Sequence, residues 1–328
     1  MDSLFTQNLS DEPDDVPHTQ DPVWILGKKY NAIKGRDWLW TPETKDSTYL
    51  KILNRFEDRR AAPFSIHQIA VMGASEGKEV GQWFGPNTIA QVLKKLVVYD
   101  DWSSITIHVA LDNTIIVNDI MRQCKIEGGT TVEVDGKMPL KAPSEWKPLL
   151  LIVPLRLGLS EINPVYVNGL KTSFQIEQSL GVIGGKPNLA LYFIGCVGDE
   201  VIFLDPHTTQ RSGSVDQKSE EGEMETDTTY HCRSASRIPI TGIDPSVALC
   251  FFCATEEDFK SLCKSIQDEL INPEKQPLFE LCSEKPADWS PVDDYTAEAA
   301  GAAASGILEF ENLDRQYDAS DEEFEFLG

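Results

Sequence analysis

Asp205, Pro206 and His207 close an apolar run, Val201–Leu204. On an extended backbone residues i and i+2 share a face, so a carboxylate and an imidazole would stand side by side at a strand end. That pairing is what a nucleophilic hydrolase needs beside its nucleophile. The carboxylate orients one ring nitrogen, and the other accepts the proton of the attacking group. The same three residues also read as a turn, because Asp-Pro opens turns and Pro206 can end a strand. Two other histidines carry less. His67 lies on an apolar face of Phe64–Met72 with no carboxylate beside it in sequence, and reads as a packed core or subsite histidine. His108 sits in an alternating run and reads as structural.

A nucleophile is harder to find. The seven cysteines, Cys124, Cys196, Cys232, Cys250, Cys253, Cys263 and Cys282, are scattered and odd in number. Cys196 lies on the run preceding Val201–Leu204 and is the least remote from His207, but nucleophile and base must meet within about 3 Å. Cys250 and Cys253 have C-x-x-C spacing without a second pair or a histidine partner, inside the buried-strand pattern VALCFFC. They read as structural thiols rather than zinc ligands. No metal and no cofactor is expected.

The elements that must hold Asp205 and His207 emerge from the surrounding pattern. Gly184, Gly185, Lys186, Pro187 and Asn188 read as a Gly-rich turn, Leu189–Val197 and Val201–Leu204 as strands, and Gly198-Asp199 as their hairpin. Leu149–Leu155 is continuously apolar, a strand covered on both faces. Ser104–Ala110 and Cys250–Cys253 are further strands. A helix begins near Ser47, with Tyr49, Ile52, Leu53 and Phe56 at i, i+3, i+4 and i+7. Others run from Thr88 to about Val98 behind an Asn87 cap, over Asn118–Gln123, over Pro164–Phe174, and from a Thr255 cap supported by Asp258. Strands alternating with amphipathic helices make an α/β (α+β) chain.

With 29 basic and 53 acidic side chains among 328 residues, the net charge is −24. That argues against nucleic acid as a principal partner, since phosphate binding needs a basic surface. No run approaches the ~20 apolar residues of a membrane span. Asp2, Asp11, Glu12, Asp14 and Asp15 exclude the basic start of a signal peptide, and unpaired scattered thiols suit the cytoplasm. Residues 1–21 read as a disordered acidic leader, 211–229 as an acidic flexible loop and 283–328 as a disordered acidic tail.

Several ordered blocks resemble one family, the autophagins, which are cysteine proteases of autophagy: PVWILGKKY (22–30), FSIHQIA (64–70), GQWFGPNTIAQVLKKL (81–96), PLLLIVPLRLGL (148–159), QSLGVIGGKPN (178–188), LDPHTTQ (204–210) and DPSVALCFFC (244–253). The resemblance covers most of residues 22–281. It implies a papain-like cysteine protease fold with a small inserted subdomain. It also implies an enzyme that cuts the C-terminal tail of ubiquitin-like autophagy modifiers at a glycine and releases them from phosphatidylethanolamine. His207 would be base and then acid, and Asp205 would hold its tautomer. Trp83 would be a lid over the substrate channel, facing Gly184, Gly185 and Pro187. The partners implied are the modifiers, free and lipid-conjugated, with membranes reached only through the lipidated substrate.

The family's nucleophile belongs to a Gly-Trp-Gly-Cys motif at the start of a central helix, and that helix leads into a GRDW-like sequence. Here Lys28–Lys34 runs straight into Gly35-Arg36-Asp37-Trp38, and Gly-Trp-Gly-Cys occurs nowhere in the chain. The domain 22–282 is therefore expected to be incomplete after Lys34, lacking the central nucleophile helix. A splice form and an incomplete gene model both fit this junction. Losing the nucleophile removes about as much rate as losing the whole catalytic unit, on the order of 10⁶. The chain is expected to be inactive, or to act as a silent modifier-binding decoy or regulator, with a loosened core. Finally, Phe324 and Leu327 stand three apart after an acidic run, resembling the motif by which short peptides bind the modifiers as an added strand.

Overall fold

The computed structural model describes residues 21–30, 47–126, 145–209 and 236–285. Thirteen strands appear among them. These are β1 (Val23–Ile25), β2 (Lys28–Tyr30), β3 (Thr106–Val109), β4 (Thr114–Ile116), β5 (Lys125–Ile126), β6 (Glu145–Trp146), β7 (Leu149–Arg156), β8 (Ser179–Lys186), β9 (Leu189–Val197), β10 (Glu200–Leu204), β11 (Ser236–Pro239), β12 (Ser246–Cys253) and β13 (Glu280–Cys282). Six α-helices join them: α1 (Ser47–Phe56), α2 (Ile66–Met72), α3 (Pro86–Leu96), α4 (Val117–Cys124), α5 (Val167–Ser173) and α6 (Glu256–Ser265).

Nine strands form one sheet in the order β11-β10-β9-β8-β12-β7-β3, with the β1–β2 hairpin attached to β9. β3 and β7 are parallel and the other neighbours antiparallel. Strand alternation divides the apolar residues between two faces. Leu151, Val153, Val182, Phe193, Val201, Leu249 and Phe251 belong to one large cluster, closed by Ile120 of α4, Leu170 of α5, and Phe259 and Leu262 of α6. The opposite face carries Ile152, Ala248 and Cys250 beneath Ala90 and Leu93 of α3, and further along it Ile194 and Ile202 beside Val23 and Ile25.

Local chemistry explains most boundaries. Thr255 accepts from the Asp258 N–H while the Asp258 carboxylate accepts from the Thr255 N–H, a complete capping box for α6. Pro164 opens a single 3₁₀ turn, capped by the Asn163 side chain, that leads into α5. Two expectations are corrected. Asn87 does not cap α3: the helix starts two residues earlier than expected, at Pro86, whose fixed φ suits the first turn, and Gly85 is the cap without a side-chain bond. The apolar positions of α1 do not all turn inward, since Ile52 and Phe56 are exposed.

The expected leader, the 211–229 loop, the Lys34–Gly35 junction, Cys232 and the Phe324/Leu327 motif lie outside the described residues. Ser283–Lys285 at the start of the expected tail are still fastened. The Ser283 carbonyl accepts from the Asn118 N–H at 3.1 Å and Lys285 pairs with Asp119 at 3.3 Å.

Candidate active site

β9 and β10 form the expected hairpin, with Val197 opposite Glu200 and Gly198 in the left-handed region at φ 56°. Towards its open end the pairing shifts between Ile202 and Phe203, so that Ile202 faces Gly195 and Phe203 faces Phe193. Ile194 is the extra residue. Its carbonyl accepts instead from the Leu26 N–H at 3.0 Å, which ties β1 into the same strand. Bulges of this kind re-aim nearby side chains or bring pairing to an end. Here the pairing stops at Leu204, and Asp205 is the first residue past it.

Asp205 and His207 are brought together by the turn that Asp-Pro suggests, and the extended i, i+2 geometry is not formed. β10 ends at Leu204, and Asp205 Oδ1 accepts both the His207 backbone N–H, at 2.9 Å, and His207 Nδ1, at 2.7 Å. Desolvation works against the Asp205 carboxylate. The two hydrogen bonds from His207 outweigh it and hold the carboxyl below its ordinary range. A carboxylate can only accept, so Nδ1 carries a proton, and in the neutral ring the lone pair lies on Nε2. The imidazole side chain is 46% exposed. A carboxylate-oriented imidazole of this geometry is what a thiol nucleophile requires of its base.

No thiol nucleophile is supplied by Cys196. It faces Val201, three residues before the strand ends, so at ~3.3 Å per residue it lies about 10 Å back along the hairpin from the turn that carries His207. It is also buried in the large cluster, where desolvation pushes its thiol up to about 11 and its Sγ donates to the Lys171 carbonyl at 3.8 Å. Cys250 and Cys253 are likewise buried, each raised to about 12 chiefly by desolvation. Among the described residues no group of three or more His, Cys, Asp or Glu is placed to hold a metal ion.

The expected lid residues are distributed differently from the sequence expectation. Gly184 and Gly185 are not in a turn but buried in β8, and only Pro187 and Asn188 turn the chain, Asn188 at φ 65°. Close packing demands glycine at 185 and leaves little room for a side chain at 184. A Cβ on Gly185 would stand 2.2 Å from the Leu189 carbonyl oxygen, and one on Gly184 would stand 3.0 Å from the Phe193 ring. The Gly185 carbonyl also accepts from the Asp244 N–H at 2.8 Å. Trp83 stands ahead of α3 with its indole 56% exposed.

His67 is corrected as well. It is no core residue: its side chain is 44% exposed and its Nε2 lies 3.0 Å from Asp58 Oδ1. Sequence reasoning missed this second imidazole–carboxylate pair because the loop between α1 and α2 folds Asp58 back over nine positions. His108 is structural as expected, with Nδ1 2.9 Å from Gln123 Oε1 and its pKa lowered by burial.

Residues 25–265 match the peptidase C54 catalytic domain. The chain belongs to that family. Two relatives named cysteine protease ATG4B are similar along nearly their whole lengths. The Xenopus laevis protein is 39% identical over 387 positions covering 98% of this chain and 97% of its own. The Gallus gallus protein is 38% identical over 400 positions, covering 99% of each. The human protein named cysteine protease ATG4A is 45% identical over 309 positions, covering 90% of this chain and 76% of its own. The peptidase C54 family is that of the autophagins, and the mixed sheet with helices on both faces fits the papain-like cysteine protease fold that the family implies.

Proposed function

We propose that this chain is a modifier-binding autophagin without peptidase activity. In the family reaction a cysteine thiolate attacks the glycyl carbonyl at the modifier's C-terminal processing site or at its bond to phosphatidylethanolamine. His207 would take the thiol proton at Nε2 and return it to the leaving amine, with Asp205 holding the ring. The observation that carries the reading is a formed Asp205–His207 pair with Cys196, the least remote thiol of the hairpin, displaced and buried. The imidazole is oriented, and the hairpin's own thiol does not reach it. The alignment with the Xenopus relative supports this, because its 387 positions exceed the 328 residues of this chain and leave at least 59 without a counterpart here. The absence of Gly-Trp-Gly-Cys points the same way.

Recognition would remain through the Trp83 lid, with Gly184, Gly185 and Pro187 opposite, and through Phe324 and Leu327, which would enter two apolar pockets of a modifier as an added strand. Such a protein acts in the cytoplasm and meets membranes only through lipidated modifier. No helix of the described residues is long and apolar enough to cross a bilayer. The test is incubation with a modifier precursor, following tail cleavage by mass and binding by titration. Binding without cleavage is expected, and replacing Phe324 and Leu327 by Ala should weaken it. Clean cleavage abolished by Cys196→Ala would overturn the inactive reading.

A further inference from the structure

The loop carrying Trp83 is built in a way that the lid reading does not require. α2 ends at Met72, a 3₁₀ turn covers Gly73–Glu76, and α3 begins at Pro86. Between them lies Gly77–Gly85. Gly77 and Gly81 have φ of 69° and 90°, and a Cβ on either would meet nothing within 4 Å. These glycines therefore serve backbone freedom rather than close packing. Between them the segment folds on itself: the Glu79 N–H donates to the Gln82 side chain at 3.0 Å and the Gln82 N–H to the Glu79 carbonyl at 3.0 Å. Val80 and Trp83, both large and apolar, are 74% and 56% exposed on it.

Phe84 is different. It packs into the cluster of Phe64, Met72, Val92 and Leu96 that joins α2 to α3. Its ring fills the notch over Gly73: a Cβ there would lie 2.0 Å from Phe84 Cζ and 2.8 and 2.9 Å from the two Cε atoms. Glycine at 73 is thus a condition for the ring at 84, and the next residue back is the exposed indole. We propose that Phe84, seated on Gly73, is the positioning residue that sets where Trp83 stands. Its functional consequence rests on the reading of Trp83 as the modifier lid. The seat would keep the indole in register over the modifier's extended tail.

The experiment uses the full chain labelled with 5-fluorotryptophan, the Trp83 ¹⁹F signal being assigned with Trp83→Phe. Gly73→Ala forces the ring out, so it should shift or split the Trp83 signal and leave the other six within their linewidths. Phe84→Leu should broaden the same signal, and adding it to Gly73→Ala should relieve the collision and draw the shift back. Affinity for a modifier should fall severalfold in both Gly73→Ala and Trp83→Ala. An unmoved Trp83 signal in a cooperatively folded Gly73→Ala chain, or an unbroadened one in Phe84→Leu if the Gly73→Ala chain does not fold, overturns the proposal. A moved signal with affinity unchanged in both variants upholds the seat and sinks the lid reading instead.

Discussion

The two faces of the central sheet are made from the same strands and packed to different depths. On one, Phe193, Phe251, Val201 and Leu151 are fully buried under α4, α5 and α6. On the other, α3 lies over Ile152, Ala248 and Cys250, while Leu150, Leu180, Ile183, Tyr192 and Leu204 stay only half-buried and Phe252 is 37% exposed. Ile183 and Tyr192 are opposite each other across β8 and β9, one residue from the fully packed pair Val182 and Phe193. A one-residue step along a strand thus crosses from a closed layer to an open one. Apolar burial contributes at roughly 25 cal/mol per Å², so the stability of this chain is concentrated on the closed face.

The sharpest break of that comparison is a pair of truncations. Phe193→Ala should cost about 3–5 kcal/mol and Ile183→Ala about 1 kcal/mol. Urea midpoints measure both, and equal losses would mean that the faces are packed alike. Next in size is an overpacking of the covered end of the open face. Ala90→Leu on α3 should cost about 1–3 kcal/mol. It should also speed alkylation of Cys250, now raised to about 12, while Cys196 on the closed face stays protected at about 11. In the unaltered chain Cys196 should react about a hundredfold and Cys250 about a thousandfold more slowly at pH 8 than an exposed thiol, since only the thiolate attacks. Mass spectrometry of labelled peptides reads this, and fast labelling of Cys196 alone would reverse the ranking.

Smaller effects sharpen the picture. Thr255→Ala removes the cap of α6 over the closed face and should lower stability by about 1 kcal/mol, visible as a lower urea midpoint with an unchanged slope. The smallest concerns His108 on the edge strand β3. Burial lowers its pKa first, the Gln123 hydrogen bond opposes this, and Lys94 lowers it further, with a net shift below 6.5. The folded state therefore binds the proton less readily than the unfolded one. Stability is present above pH 6.5 and declines as pH falls below it. His108→Gln should flatten that decline in a pH series of melting curves.

Much of the frame was legible. Gly198-Asp199 announces the β9–β10 hairpin, the unbroken run 149–155 announces a strand buried on both faces, and Thr255 with Asp258 announces α6. The misreadings share a cause. Gly184 and Gly185 look like turn residues by composition, yet they are glycine because Leu189 and Phe193 crowd β8 from the next strand. His67 looks internal by periodicity and is drawn out by Asp58, a contact made by loop closure. Asp205 and His207 were visible as a pair and Asp-Pro as a turn, while the single oxygen that serves both the His207 backbone and its ring was not, since strand ends are set by pairing registers. Phe84 gave no signal beyond its hydrophobicity; its partner is an atom that Gly73 lacks.

The diversion of the Ile194 carbonyl to Leu26 has a consequence for self-association. β8 pairs with β9 only from Leu189 to Phe193, and beyond the bulge that side of β9 is occupied by β1 from Gly195 to Val197. Without β1, the last third of a long apolar strand would present a bare row of amide and carbonyl groups. Such a row templates pairing with another copy. β2 then takes the outer position, and it is suited to end a sheet: three residues long, two of them lysines, with Lys29 lying over the Trp24 ring. The short hairpin Val23–Tyr30 thus works as a guard strip, and a chain trimmed past Tyr30 should gather into fibrous or edge-paired assemblies before it loses its core.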